Sequence, residues 1–149
     1  MNIKKKLYAK CLLYVEKREQ TVNTTINAAK KALNSETKSS AGDKHETGRA
    51  MLQLEMEKAG QQLHSITKMK EILAKVNTNN ISDIAHLGSI VTTNKANYYL
   101  SISKGEIKIN NINYYAISVS SPIGKLLLGK QTADTFIFNG QKITIETIM

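Results

Sequence analysis

The sequence predicts an α+β protein in which an N-terminal antiparallel two-helix coiled-coil hairpin precedes a small β-sheet domain with one short helix. Apolar residues recur at steps of three and four in the first half, and at every second position in much of the second half. The chain has 149 residues, enough for one ordinary domain or two small ones. We therefore predict a hairpin over residues 1–77 and a sheet domain over residues 78–149.

Two heptad patterns predict the helices of the hairpin. Both stretches lack proline and are rich in residues that favour helices. The first, within residues 5–33, has apolar positions at Tyr8, Leu12, Val15, Val22, Ile26, Ala29 and Leu33, and the second has them at Leu52, Met56, Ala59, Leu63, Ile66, Met69, Leu73 and Val76. We expect two paired helices of about 30 residues, each about 45 Å long. The polar stretch from Asn34 to Asp43 predicts the turn between them.

The second half reads as a linker followed by short strands. Asn77–Asn80 predicts the linker, and residues 81–85 predict a short turn. Asn110-Asn111 and Asn139-Gly140 predict hairpin turns. The one helix expected here is capped by Ser121, has Pro122 in its first turn and ends near Gly129. Segments rich in β-branched and aromatic residues predict strands at 89–93, 98–103, 106–109, 114–119, 135–138 and 142–148.

Charge and composition indicate a soluble protein with a basic N-terminal half. Of the net charge of +9, residues 1–77 carry 15 Lys and Arg against 8 Asp and Glu, and residues 78–149 carry 6 against 4. A basic half is typical of a protein that meets nucleic acid or an acidic partner, although a merely solubilising surface looks the same. The absence of a long apolar run and the single cysteine, Cys11, predict a soluble, cytoplasmic protein without internal disulfides.

Two motifs resemble a known family. The segment from Ser120 to Lys130, with Asp134 and a closing strand pair after it, resembles the C-terminal signature of the bacterial Gre transcript-cleavage factors. The segment Ala41-Gly42-Asp43-Lys44-His45-Glu46 is similar to the Gly-Asp-x-x-Glu motif at the tip of that family's coiled coil. The resemblance covers nearly the whole chain, with few identities in the helical half.

The resemblance implies a partner, RNA polymerase, and a mode of action. A coiled coil would enter the secondary channel of the polymerase while an FKBP-like C-terminal domain docks at its rim. The protein, expected to be a monomer, would stimulate the polymerase's own hydrolysis of backtracked RNA rather than act as an enzyme itself. We expect Lys30 and Lys31 to lie along the channel or the RNA 3′ end. The expected polymerase contacts are Ser121, Pro122, Ile123, Gly124, Leu127, Gly129 and Lys130.

The resemblance also implies that Asp43 and Glu46 at the tip assist catalysis by helping the polymerase to hold a transient magnesium ion. Magnesium prefers oxygen ligands, and carboxylates three residues apart on a helix lie on nearly the same face. The same pair also fits a helix cap, with Asp43 as N-cap and Glu46 three residues later. Where the family usually has Asn-Ala-Glu-Tyr, this chain has Thr47-Gly48-Arg49-Ala50, so a secondary-channel regulator that does not stimulate cleavage is the alternative.

Three other chemistries are less well supported. His45 beside the tip acids suggests a transition-metal site, for which an exposed histidine is the simpler reading. Cys11, His64 and His86 suggest a small thiol enzyme of the condensing type, but no glycine-rich loop surrounds Cys11. Prolyl isomerisation would need an aromatic-walled pocket, whereas strand alternation should send about half of the aromatic side chains outward. These side chains are Tyr98, Tyr99, Tyr114, Tyr115, Phe136 and Phe138.

Overall fold

The protein consists of two long helices, a six-stranded sheet and one short helix, as predicted. The structure is a computed structural model that describes the backbone of residues 2–38 and 42–149 and the side chains of residues 2–35 and 47–149. Its elements are α1 (Ile3–Lys38), α2 (Gly42–Ala74), β1 (Ile90–Thr93), β2 (Asn97–Ser101), β3 (Gly105–Ile109), β4 (Ile112–Ser118), α3 (Pro122–Leu127), β5 (Thr135–Phe138) and β6 (Gln141–Ile148). None of the described helices is long and apolar enough to cross a membrane.

The turn of the hairpin is shorter than predicted. Helix α1 continues through residues 34–38 and α2 already begins at Gly42, so most of the segment from Asn34 to Asp43 is helical. Residues 39–41 lie outside the described part of the chain. Neither glycine nor proline occurs between Asn34 and Ala41, so polar composition alone did not stop the helix.

The chain forms two compact units. One contains residues 1–14 and 70–149, and the other contains residues 15–69, the distal part of the hairpin. In the distal unit the heptad prediction is confirmed, because the buried apolar side chains among its described residues are Val15, Val22, Ala29, Ala59 and Ile66, which repeat every seven residues on each helix. The division at residue 77 into two folding domains stays a prediction.

The sheet has the strand order β3-β4-β2-β1-β6-β5, with β2 and β4 parallel and all other neighbours antiparallel. Both predicted hairpin turns are present. Asn110 and Asn111 have φ of 52° and 64°, and Asn139 and Gly140 have φ of 50° and 76°. Two consecutive residues with positive φ characterise the type I′ turn, which asparagine and glycine tolerate best.

Apolar side chains cover both faces of the sheet within the larger unit. On one face, Leu100 and Val91 pack in a cluster with Ile123 and Leu127 of α3. On the other, Tyr99 and Ser101 are fully buried, and Ser101 Oγ lies 3.7 Å from Cys11 Sγ of α1. The first turns of α1 therefore cover the face opposite α3. Their side chains are buried by contact with the sheet as well as by pairing with the other helix.

Candidate functional site

The segment that carries the family signature is a tightly built helix start. Ser121 caps α3 with φ −69° and ψ 159°, and Pro122 follows in the first turn. The Ser121 hydroxyl donates to the carbonyl oxygen of Ser118 (2.6 Å), and its Oγ accepts from the N–H of Gly124 (3.1 Å). The predicted cap is confirmed. The hydroxyl joins the end of β4 to the start of α3, and the contact with Ser118 was not predicted from the sequence.

Gly124 is required by close packing against the backbone. A Cβ atom at this position would collide with the carbonyl oxygen of Ser118 and lie 2.9 Å from Ser121 Oγ. Both neighbours belong to the capping arrangement, so neither can move without breaking it. The Ser-Pro-Ile-Gly order therefore encodes a specific strand-to-helix connection: a cap, a proline, a core side chain and a position without Cβ.

The rest of the segment divides into a buried and an exposed part. Ile123 and Leu127 are buried in the cluster below α3, whereas Pro122, Lys125 and Leu128 are exposed. Gly129 has a φ of +82°, which glycine adopts without strain, and its N–H donates to the carbonyl of Ala85 (2.8 Å). A partner would meet the exposed side chains directly, while the buried ones hold the helix in place.

The two tip carboxylates occupy the first turns of α2. The helix begins at Gly42, so the backbones of Asp43 and Glu46 are helical and three residues apart, as predicted. Their side chains, and that of His45, lie outside the described residues. Two carboxylates at this spacing are a donor set that suits magnesium. Of the following residues, Thr47, Arg49 and Ala50 are exposed.

The two lysines expected to contact the channel or RNA are free to meet a partner. Lys30 and Lys31 are both exposed near the distal end of α1. No group of three or more His, Cys, Asp or Glu side chains that could hold a metal ion occurs in the part of the chain whose side chains are described.

Cys11 has the environment of a structural thiol. It is fully buried, and burial raises its pKa, although the hydrogen bond with Ser101 and the charge of Lys104 act in the opposite direction. His86 instead contacts Ser89 Oγ (2.9 Å) and Asn80 Nδ2 (3.2 Å). A nucleophilic cysteine needs a lowered pKa and access to substrate, so these features disfavour the thiol-enzyme hypothesis.

The aromatic side chains of the sheet are divided between its two faces. Tyr99 and Tyr114 are buried on the face covered by α1, whereas Tyr98, Phe136 and Phe138 pack against the cluster below α3, and Tyr115 is exposed. The side chains alternate between the faces as predicted, but Tyr115 alone of the six is exposed, and not about half of them, because both faces of the sheet are covered. The alternation separates the aromatic walls that an isomerase pocket would need.

The sequence pattern did not identify the residues that α1 buries at its N-terminal end. The expected seam positions Tyr8 and Leu12 are half-buried, whereas Leu7 and Cys11 are completely buried. The four-residue spacing of Leu7, Cys11 and Val15 could have predicted these buried positions, because residues spaced by four lie on a helix face slightly rotated from the one that carries the heptad positions. Contact with the sheet determines that the face with Leu7 and Cys11 is buried and not the face with Tyr8 and Leu12.

Comparison with known proteins finds no matching family model and no matching curated protein.

Proposed function

We propose that the chain is a Gre-type transcription factor that binds RNA polymerase, inserts the tip of its hairpin into the secondary channel and stimulates cleavage of backtracked RNA. The observation that carries the proposal is the start of α2 at Gly42, which puts Asp43 and Glu46 in its first turns, at the end of a two-helix hairpin. At 33 residues, α2 has a length of about 50 Å, suited to reaching into a deep channel.

The chemistry of the tip follows from its two carboxylates. Asp43 and Glu46 would supply oxygen ligands to a magnesium ion that the polymerase also holds. Such an ion stabilises developing negative charge and makes water a better nucleophile. The chain's own part is to bring the two charges to the reacting centre at a fixed separation, because residues three apart on a helix keep their spacing.

The surface of this chain that binds the polymerase is proposed to lie on α3. Pro122, Lys125 and Leu128 form the exposed part of the signature segment, and the Ser121–Gly124 arrangement fixes the helix that presents them. An apolar exposed side chain beside a cation is a suitable contact for a partner surface that carries both apolar and acidic groups. As part of the same proposal, the C-terminal domain is FKBP-like, and the protein acts as a monomer in the cytoplasm.

A binding assay on the full chain tests the docking surface. We expect Lys125→Glu combined with Leu128→Asp to weaken retention of core RNA polymerase at least tenfold, because the change reverses a charge and removes an apolar contact. The matched control is Lys142→Glu combined with Ile137→Asp, also exposed, on β6 and β5. Equal retention of both variants would contradict docking through α3, and failure of the parent chain to bind polymerase would contradict the proposed function.

A secondary-channel regulator without cleavage stimulation is the second candidate. One observation favours it: Arg49 stands, exposed, where the family has an acid. Three residues after Glu46 on the same helix, a guanidinium can neutralise that carboxylate and weaken its attraction for a metal ion. The cleavage assay at the end of the Discussion separates the two candidates.

A further inference from the structure

A groove on the sheet unit is rimmed by lysines and floored by apolar side chains. It has a volume of about 380 Å³ and lies between the N-terminal part of α1 and the end of β3. The residues that line this lysine-rimmed groove are Lys6, Ala9, Lys10, Leu13, Lys108 and Ile109. Steps of four and three place Lys6, Lys10 and Leu13 on one side of α1.

Charge determines what the groove can accept. Lys6 and Lys10 of α1 bring two positive charges to its rim. Lys108 of β3 also lines the groove, but it alternates with Ile109 and so belongs to the opposite face of the sheet. None of the three lysines pairs with an acidic side chain among the described residues. Like charges repel one another, and an acidic partner would relieve that repulsion. The charge of the groove therefore suits a negatively charged occupant.

The floor indicates that the occupant also has aliphatic side chains. Leu13, which lines the groove, is 46% exposed, and outside the groove Ile112, which pairs with Ile109 in the sheet register, is also 46% exposed. No arginine or aromatic side chain lines the groove, although stacking on such groups is the usual way to hold single-stranded nucleic acid. At about 380 Å³ the groove is near the lower end of the range for small-molecule sites, a size that fits a few side chains better than a whole ligand.

The sheet edge beside the groove is formed by β3. Among the described strands β3 pairs with β4 alone, and at its outer edge the carbonyl oxygen of Glu106 accepts from Lys104 Nζ (3.3 Å). An extended peptide can add to such an edge through main-chain hydrogen bonds, while alternate side chains enter a neighbouring pocket.

We propose that the lysine-rimmed groove binds an acidic, extended segment of a partner protein, with a leucine or isoleucine side chain on the apolar floor and carboxylates against Lys6 and Lys10. Ile109 belongs to the sheet face covered by α1, whereas Ile123 and Leu127 of α3 pack on the opposite face. This surface is therefore separate from the proposed polymerase contact at α3, and both could be occupied together. The inference does not depend on the proposed function.

Binding of a fluorescein-labelled peptide of roughly a dozen residues, in which Asp and Glu alternate with Leu, tests the proposal on the full chain. We expect saturable binding that Lys6→Gln/Lys10→Gln weakens about fivefold, the loss expected for two exposed ion pairs. Leu13→Ser should weaken binding by a similar factor, and so should replacing the peptide leucines by serine. The matched control is Lys95→Gln/Lys142→Gln, which removes the same charge from exposed positions elsewhere on the sheet unit.

Two results would overturn the proposal. One is the absence of saturable binding, or an equal loss in the control variant, which would leave only non-specific attraction to a basic protein. The other is tight binding of oligouridylate that requires Lys6 and Lys10 but is unaffected by Leu13→Ser, which would identify a nucleic-acid surface. Circular dichroism of each variant establishes that the fold is retained.

Discussion

Two glycines on helices have opposite roles. Gly124 is pressed against the carbonyl oxygen of Ser118, whereas Gly60 lies in the interior of α2 with nothing within 4 Å of a Cβ atom. We expect Gly124→Ala to reduce the free energy of unfolding by about 1–3 kcal/mol, as overpacking does. Gly60→Ala should increase it by about 0.5–1 kcal/mol, because alanine favours the helix.

Urea unfolding of the two alanine variants measures this difference directly. A Gly124→Ala variant with unchanged stability would show that the capping arrangement at Ser121 can relax, and the close approach to Ser118 would then not explain the glycine.

The burial of Cys11 predicts its reactivity and a pH dependence. Because burial raises the pKa of this thiol, it should stay protonated near pH 8.5, where an unfolded cysteine ionises. A raised pKa contributes stability that is fully present below the unfolded pKa and is lost as the pH rises from there through the folded pKa. We therefore expect the stability of the parent chain to fall relative to Cys11→Ala as the pH rises above about 8.5.

Alkylation by iodoacetamide at pH 8.5, followed by mass spectrometry, tests the protection: it should be slow in buffer and fast in urea. Cys11→Ala should lose about 1 kcal/mol of stability from the smaller side chain and keep every polymerase-related activity. Rapid alkylation of the native protein, or loss of an acyl-transfer activity in a folded Cys11→Ala variant, would favour the thiol-enzyme hypothesis.

Secondary structure could be predicted well wherever a local pattern decides it. Positive φ at Asn110-Asn111 and Asn139-Gly140 follows from residues that tolerate it, and the strand bounds follow from β-branched and aromatic runs. The distal seam through Val22 and Ala29 follows from heptad spacing, because both buried positions fall on the predicted seven-residue period. These elements depend on interactions between residues near in sequence or repeated at a fixed period.

The exposed lysines near the distal end of α1 give the hairpin a predicted role in binding. If Lys30 and Lys31 lie along the channel or the extruded RNA, they release counterions from phosphates. We expect Lys30→Gln/Lys31→Gln to reduce the dependence of the logarithm of affinity on the logarithm of salt concentration by about one to two, measured with backtracked elongation complexes. Lys58→Gln/Lys68→Gln, exposed on α2, is the matched control.

An unchanged salt dependence in the Lys30→Gln/Lys31→Gln variant would contradict contact with phosphates and leave these lysines as part of a solubilising surface. An equal reduction in the control would show that overall charge, and not position on α1, governs the affinity.

Features that join distant parts of the chain could not be predicted from local pattern. The contact between Cys11 and Ser101 spans 90 residues, and the lysine-rimmed groove needs α1 beside β3. Neither the heptad spacing of α1 nor the alternation of β3 indicates which surface the other covers. The same limit applies to Ser118, whose carbonyl oxygen accepts from the cap at Ser121 only after β4 and α3 have been placed.

For the molecule as a whole, the two proposals use three places on the described part of the chain. The hairpin carries the two acidic residues at its distal end, α3 presents exposed side chains on one face of the sheet, and the lysine-rimmed groove lies on the other face. Under the proposed function, binding and chemistry use different places and can be altered independently. Changes at α3 should act on binding, and changes at Asp43 or Glu46 should act on the cleavage rate.

RNA cleavage by stalled, backtracked elongation complexes from the host organism, with and without the purified protein, tests the proposed function most directly. We expect the parent chain to stimulate cleavage, and Asp43→Asn with Glu46→Gln to abolish the stimulation while polymerase affinity stays nearly unchanged. The amides keep the side-chain shape but lose the charge that a weakly held magnesium ion needs, so the loss should appear in the rate. Asparagine caps helices as well as aspartate does, so near-normal cleavage by Asp43→Asn would assign that residue a purely structural role. A parent chain that binds polymerase but stimulates no cleavage at any magnesium concentration would contradict the account and favour the non-cleaving regulator.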